Sequence, residues 1–191
     1  LTEESELGEL GNNYLMALIA LDQNYGSAWV DISTGEVSCI NCEDINDLLE
    51  TCLNKSPSEI LVAENLFEKN YLTSIPKNHS VTFYDLETKD LTKTKNSIIN
   101  FYKKEKEFNV DNFSTSERLA LHLILEYVLF TQNGLIPYLK IPDKVTKKNF
   151  LEIDNATKRN LEIVNTLNGD IEGSLFHSVD YTFTSSGKRR L

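Results

Sequence analysis

The chain has 191 residues, which is enough for one large domain or two small ones with a hydrophobic core. Hydrophobic residues make up 40% of it and charged residues 25%, while glycine and proline are sparse, and this composition excludes a disordered or low-complexity chain. The net charge is −10, and residues 1–50 hold eleven acidic residues and no lysine or arginine, so this part would repel the phosphates of DNA.

Hydropathy and cysteine content suggest a cytoplasmic protein without a membrane partner. No apolar run approaches the roughly 18 residues of a membrane span. Residues 1–10, LTEESELGEL, are acidic and lack the basic and apolar regions of a secretory signal. The chain has three cysteines, Cys39, Cys42 and Cys52, and an odd number argues against a set of disulfides. Cys39-x-x-Cys42 has no second ligand pair, which argues against a zinc site, so buried free thiols are favoured.

Residues 13–42 are typical of three antiparallel strands joined by two tight turns. The apolar run NYLMALIAL (13–21) is followed by turn residues and then by SAWVDI (27–32). A second turn contains Gly35 and leads into EVSCI (36–40). Short connections of this kind join neighbouring strands of a meander.

Helices and strands are predicted to alternate in the next part of the chain. The predicted elements are a helix over 43–54, a strand over 56–63, a helix over 65–75, a strand over 80–86 and a helix with a basic outer face over 93–108. A helical crossover into the fourth strand suggests that this strand has a parallel partner. The order is α/β and resembles a ribonuclease H-like fold.

A long buried helix is predicted over residues 117–132. Ser114-x-x-Glu117 has the spacing of a capping box, and apolar residues occupy almost every side of the helix. No strand-rich region is predicted after it. We therefore expect a boundary near residue 110, with a mixed-sheet domain over 1–110 and a mostly helical, truncated domain over 111–191.

The sequence does not predict a catalytic, cofactor-binding or metal-binding residue. A ribonuclease H-like nuclease needs carboxylates that converge on two metal ions, including one within the first strand. That strand has none, and Asp22, Asp31 and Glu64 lie in the turn after it or at the ends of other predicted strands. No phosphate-binding loop occurs, and no spacing selects a catalytic triad.

Spaced residues in the C-terminal part form a recognisable pattern, and they are Asp154, Thr157, Asn160, Leu161, Glu162, Asp180, Gly187 and Arg189. They match an Asp-x-x-Thr-x-x-Asn-Leu-Glu segment, an Asp-x-Thr-x-Thr segment and a Gly-x-Arg-x-Leu helix entry. This pattern resembles the start of the core domain of the MutS family of DNA mismatch-repair proteins, and we treat the matching residues as a structural signature. The segment around them, from residue 151 to 163, is predicted to form an amphipathic helix capped by Asp154 or Asn155.

Two further segments are similar to the same family. EYVLFTQNGLIPYL (126–139) resembles a core-helix segment, and residues 12–36 resemble the start of the connector domain. The resemblance implies a connector domain with a ribonuclease H-like fold but no nuclease activity, followed by the first part of the core, or lever, domain. It also implies that the mismatch-reading domain, the DNA clamp and the ATPase lie outside this chain.

The resemblance implies a non-catalytic role as well. In the family, the connector joins the mismatch-binding and ATPase regions and contacts MutL, in a dimeric parent that binds mismatched DNA, ATP and magnesium through its other domains. Two alternatives stay open from the residues. One is a divergent metal-dependent nuclease that uses Asp22, Asp31 and Glu64, and the other is a helical interaction module in which residues 112–191 close a core by themselves.

Overall fold

Six strands form one mixed sheet in the computed structural model. The strands are β1 Tyr14–Leu21, β2 Asn24–Asp31, β3 Glu36–Cys42, β4 Glu59–Phe67, β5 Ser80–Phe83 and β6 Asp143–Val145. The helices are α1 Ile45–Lys55, α2 Leu91–Phe101, α3 Thr115–Thr131, α4 Asn155–Asn160 and α5 Leu175–Val179, with 3₁₀ turns at Lys69–Ser74 and Val110–Asn112. The structure describes residues 14–75, 79–86, 90–105, 107–132, 138–146, 155–184 and 187.

The chain divides into two units, the sheet unit of residues 13–146 and a C-terminal unit that contains residues 147–191. In the sheet unit the strand order is β5-β4-β1-β2-β3-β6. The β1–β2 and β2–β3 pairs are antiparallel, as the meander pattern predicts. The β1–β4, β4–β5 and β3–β6 pairs are parallel. The predicted parallel partner of the fourth strand is therefore confirmed and is β1.

Strand β1 is buried on both faces, which explains its continuous apolar sequence. Its side chains alternate between two hydrophobic clusters. One cluster contains Leu15, Ala17 and Ile19 together with residues of α2 and α3, and the other contains Met16, Leu18 and Ala20 together with residues of α1. The sheet is thus the middle layer of an α/β architecture, and the predicted α/β class is confirmed.

Helix α3 provides most of the cover for one face of the sheet. Ser114 and Glu117 form the predicted capping box at its start. Ten of its seventeen residues are buried, and their apolar members extend from Leu119 to Val128 in the cluster shared with β1, β2 and β3. The prediction of a helix buried on several sides is confirmed.

Helix α3 therefore belongs to the sheet unit, and the expected domain boundary near residue 110 is not where this unit ends. Strand β6, which the sequence did not predict, adds to the far edge of the sheet beside β3. The chain must pass along α3 and return to the sheet before the unit is complete. The unit consequently ends at residue 146.

Two predicted helices differ from those in the structure. Residues 65–75 do not begin as a helix, because β4 continues to Phe67 and only a 3₁₀ turn follows. The register shift between Leu18 and Ala20 of β1 lets β4 continue past its expected end. Helix α2 stops at Phe101, well before residue 108, and Tyr102 caps it through a backbone bond to Ile98.

The described residues of the C-terminal unit form only short helices. Helix α4 has six residues, so the amphipathic helix predicted up to residue 163 is too long. Glu162 has a φ of 49°, a left-handed conformation that a continuing helix does not allow. Backbone bonds join Glu162 to Leu175 and Ile163 to Phe176, and they hold the two halves of this unit together.

Large apolar side chains of the C-terminal unit are exposed. They are Leu161, Val164, Leu167, Leu175, Val179, Tyr181 and Phe183. Because α3 packs on the sheet and these side chains lie outside any core of the described residues, residues 112–191 do not form the self-contained helical module considered above. The predicted cap Asp154 and the terminal helix entry at residues 188–191 lie outside the described residues.

The three cysteines are buried free thiols, as predicted. Burial raises the pKa of Cys52 to about 11, and it raises the pKa of Cys39 further. Both groups are thus unreactive thiols at neutral pH. Among the described helices, none has the length and apolar content needed to cross a membrane.

Candidate functional site

The carboxylates of the nuclease hypothesis do not converge. Asp31 ends β2 opposite Tyr14, whereas Asp22 lies in the turn at the other end of the β1–β2 hairpin. Eight strand residues separate these ends by about 25 Å at roughly 3.3 Å per residue. Two-metal sites need ions about 4 Å apart, so the two carboxylates cannot share one.

Asp31 and Glu64 have local surroundings that explain them without metal chemistry. The Oδ1 atom of Asp31 accepts hydrogen bonds from the backbone N–H and the hydroxyl of Ser33, which closes the β2–β3 turn. Glu64 is exposed on β4, beyond the residue that pairs with Leu18. The described residues contain no group of three His, Cys, Asp or Glu side chains that could hold a metal ion. The hypothesis of a nuclease built on Asp22, Asp31 and Glu64 is therefore wrong.

Part of the family signature lies on and just after α4. Thr157 and Asn160 are exposed on the helix, and Leu161 is an exposed apolar residue that follows it. The Oε1 atom of Glu162 accepts a 2.7 Å hydrogen bond from the backbone N–H of Leu167 and so stabilises the turn after the helix. These are local structural contacts within the C-terminal unit.

Two other signature residues, Asp180 and Gly187, also make short-range bonds. The Oδ1 atom of Asp180 accepts from the backbone N–H of Thr182 at 3.0 Å, and the N–H of Gly187 donates to Oγ1 of Thr184 at 3.0 Å. Asp154 and Arg189 lie outside the described residues. The described signature residues share no cavity with a titratable cluster, and their shared role as a family signature stays a prediction.

A cleft between α2 and α3, at the carboxyl end of β5, brings together several polar side chains of the sheet unit. We call it the interhelical cleft. Its volume is about 560 Å³, and its lining residues are Tyr84, Asp85, Leu86, Lys93, Ser97, His122, Glu126 and Phe130. Crevices beyond the carboxyl ends of parallel strands are common ligand sites in α/β proteins, because loops and helix ends converge there.

A buried histidine lies at the base of the cleft. The His122 side chain is 4% exposed, and its Nδ1 finds no hydrogen-bond partner among the described residues. The nearest carboxylate oxygen, Oε1 of Glu126, is 3.9 Å away, and the Ser97 hydroxyl donates to the same oxygen at 3.3 Å. Burial lowers the pKa of His122, and the neighbouring Glu126 carboxylate opposes part of this effect. His122 is therefore a neutral imidazole at pH 7.

Aromatic side chains form the rim of the cleft. Phe130 is 69% exposed, and its ring centroid lies 6.0 Å from that of Tyr84. Tyr84 in turn meets Tyr127 edge-on at 5.6 Å. The Tyr127 hydroxyl donates a 2.7 Å hydrogen bond to Glu59 on β4, so the sheet holds this aromatic group in place. The cleft thus joins a carboxylate, a buried imidazole and a supported aromatic surface.

Sequence reasoning did not identify the cleft. No pattern in the sequence connects His122 with residues of other elements. One signal was present, because His122, Glu126 and Phe130 are spaced by four residues and so share one stripe of α3. The matching stripe on α2, Lys93 and Ser97, could not be paired with it before the two helices were known to be neighbours.

A second polar cluster fixes the start of α3 to the sheet. The Oδ1 atom of Asn41 on β3 accepts from the hydroxyls of Ser114 and Ser116 at 3.0 and 2.8 Å. The fully buried Glu117 accepts from the backbone N–H of Ser114, and Lys144 of β6 lies 3.4 Å from the same carboxylate oxygen. These contacts attach one helix end to two strands and have a structural role.

Comparisons with known proteins agree with the sheet unit and its extent. The family described as MutS domain II matches residues 13–141. A DNA mismatch repair protein MutS of Wolbachia pipientis wMel is 35% identical over 191 residues, which cover 99% of this chain and 22% of the relative. The proteins of the same name from Ehrlichia chaffeensis and Rickettsia rickettsii (strain Sheila Smith) are 35% and 34% identical, with 99% of this chain and 24% and 22% of the relatives covered.

The chain spans less than a quarter of the length of these curated relatives. The family match ends within the last segment of the sheet unit, which agrees with α3 being part of that unit. The similarity extends beyond it through nearly all of the chain. The chain therefore belongs to the MutS family, and residues 13–141 are its domain II, the connector domain.

Proposed function

We propose that this chain is a non-catalytic segment of a MutS-type DNA mismatch-repair protein. The observation that carries the proposal is the identity of about a third over nearly the whole chain with proteins named DNA mismatch repair protein MutS. In this proposal the segment links mismatch-binding and ATPase regions of a longer, dimeric chain. Mismatched DNA, ATP and magnesium bind to other parts of that longer chain.

The sheet unit has the properties of a rigid link. Its sheet is covered on both faces, and a polar cluster fixes α3 at one end. The acidic carboxylates of the nuclease hypothesis are too far apart for two-metal chemistry. These features support a role in transmitting domain rearrangements. The contact with MutL that we propose beside it rests on membership of the MutS family.

We extend the proposal to the fold and to the C-terminal unit. The antiparallel β1–β2–β3 meander with parallel β4 and β5 beyond β1 supports a ribonuclease H-like assignment. The exposed apolar residues of the C-terminal unit support its assignment as the start of the core, or lever, domain, because such residues are suited to contacts with further helices. The terminus of the connector then lies near residue 146.

Two assays test the non-catalytic part of the proposal. In a gel-shift assay at physiological salt, the 191-residue chain is expected to bind a duplex with one mismatch no better than the matched duplex. In a phosphate-release assay with magnesium, it is expected not to hydrolyse ATP. A clear preference for the mismatch, or ATP turnover above that of a buffer control, would contradict the proposal.

A further inference from the structure

We propose that the interhelical cleft is a receptor for an arginine side chain of a partner protein. This inference deepens the proposed role in protein contact and rests on it for the nature of the partner. The cleft is a polar cavity of about 560 Å³ between two helices, and the geometry of its lining selects the ligand class. Three features carry the inference: its charge, its exposed carboxylate and its exposed aromatic ring.

The charge of the cleft favours a cation. Asp85 and Glu126 contribute two carboxylates, Lys93 contributes one ammonium group, and the buried His122 is neutral. The carboxylates thus outnumber the ammonium group by one, and this local charge attracts a basic side chain of a protein more than a phosphate group.

The Glu126 carboxylate is the acceptor that a donor with N–H groups would meet. The Glu126 side chain is 41% exposed, so its carboxylate can be reached from the cleft. Its Oε1 atom also accepts from the Ser97 hydroxyl of α2 at 3.3 Å, which holds the carboxylate between the two helices, where a guanidinium N–H can donate to it.

The aromatic rim distinguishes a guanidinium from an ammonium group. A guanidinium is flat and weakly hydrated, so it can stack on an aromatic face while its edge binds a carboxylate. Phe130 offers an exposed ring one helical turn beyond Glu126, and Tyr84 supports it from the side. A lysine ammonium group can meet the carboxylate but lacks the planar edge and face, so it is the weaker ligand.

The test is an NMR titration of the ¹⁵N-labelled 191-residue chain with Nα-acetyl-arginine amide. We expect saturable shifts confined to amides near Ser97, His122, Glu126 and Phe130. Nα-acetyl-citrulline amide, which has the same shape without the charge, is expected not to produce them. Nα-acetyl-lysine amide is expected to bind more weakly than the arginine probe.

Variants connect the binding to the cleft. Glu126→Gln is expected to lower the affinity of the arginine probe about tenfold, since a charge-assisted hydrogen bond is lost. Phe130→Ala is expected to remove the preference for arginine over lysine. Glu50→Gln, which makes the same charge change at an exposed position of α1, is expected to leave binding unchanged.

Several outcomes would overturn the inference. They are shifts that do not saturate, equal shifts with the citrulline probe, or equal affinity in Glu126→Gln and the unsubstituted chain. Failure of the proposed function gives a different result: the arginine probe still binds the cleft, but MutL does not bind the chain. If MutL binds the chain and the probe does not bind, only the inference of an arginine receptor in the cleft is contradicted.

Discussion

Gly26 of β2 lies against the first turn of α3, and the absence of a side chain there allows the helix to approach the sheet. A Cβ atom at this position would lie 2.6 Å from Oγ and 2.7 Å from Cβ of Ser116. Both atoms belong to a buried side chain next to the helix backbone, so they cannot easily move away.

We predict that Gly26→Ala lowers the free energy of unfolding by about 1–3 kcal/mol, the usual cost of overpacking. Urea denaturation measures the change. The double variant Gly26→Ala/Ser116→Gly removes the clashing side chain. Its loss of unfolding free energy is expected to be smaller than the sum of the losses measured for Gly26→Ala and Ser116→Gly separately. Simple additivity of the two substitutions would show that the close approach is absent in solution.

His122 makes stability depend on pH because burial lowers its pKa from 6.5 in the folded chain. The unfolded chain takes up a proton on this histidine as the pH falls below 6.5, whereas the folded chain resists protonation until a lower pH. The contribution of neutral His122 to the free energy of unfolding is therefore fully present above pH 6.5. It is lost progressively as the pH falls toward the pKa of His122 in the folded chain.

We predict that His122→Gln reduces the loss of unfolding free energy between pH 7.5 and pH 5. The measurement is urea denaturation of both proteins across this range. His177→Gln, at an exposed position of the C-terminal unit, is the matched control and is expected to keep the original pH dependence. An identical pH slope for His122→Gln and the unsubstituted chain would contradict the burial of a neutral imidazole.

At the scale of elements, the capping box of α3 shows how local sequence fixes a tertiary contact. The Ser114 hydroxyl accepts from the backbone N–H of Glu117 and donates to Asn41 on β3. Ser114→Ala removes both bonds, so we predict a loss of about 1–2 kcal/mol of unfolding free energy. Thermal and urea denaturation check this value.

Ser114→Thr is the control for the cap, because threonine keeps the hydroxyl acceptor. Its unfolding free energy is expected to be close to that of the unsubstituted chain. If Ser114→Ala and Ser114→Thr were equally destabilised, sterics at the helix start and not hydrogen bonding would explain the effect.

Elements with strong local patterns were predicted well. The apolar run of β1, the meander turns and the capping box each have a short-range cause, so the sequence alone identifies them. The helix expected over 65–75 was wrong because β4 continues four residues beyond its expected end, to Phe67, by pairing with β1 past a register shift, which depends on tertiary contact. Strand β6 has three residues and exists only because β3 offers an edge.

At the scale of the whole molecule, α3 decides where the connector domain ends. It covers the face of the sheet that contains Leu15, Ala17 and Ile19. Sequence periodicity identified the helix but not its partner, since an apolar helix can pack equally on a sheet or on other helices. The expected boundary near residue 110 followed from that ambiguity.

We predict that a chain shortened to residues 1–110 exposes this face and does not fold cooperatively. Residues 1–146 are expected to melt in one sharp transition and to give a dispersed amide NMR spectrum. The shorter chain is expected to bind hydrophobic dyes and to lack a sharp transition, because a large apolar surface remains in water. Cooperative melting of residues 1–110 would show that α3 is not required for the sheet domain.

The proposed function of this MutS-family chain is to bind a protein partner, without catalysis of its own. Titration of the ¹⁵N-labelled 191-residue chain with MutL tests it most directly. We predict saturable changes on one surface of the sheet unit, without ATP or DNA, and weaker changes in Glu126→Gln than in Glu50→Gln. The absence of any change in the sheet unit at MutL concentrations of about 100 μM, where binding of even micromolar affinity would be visible, would contradict the claim.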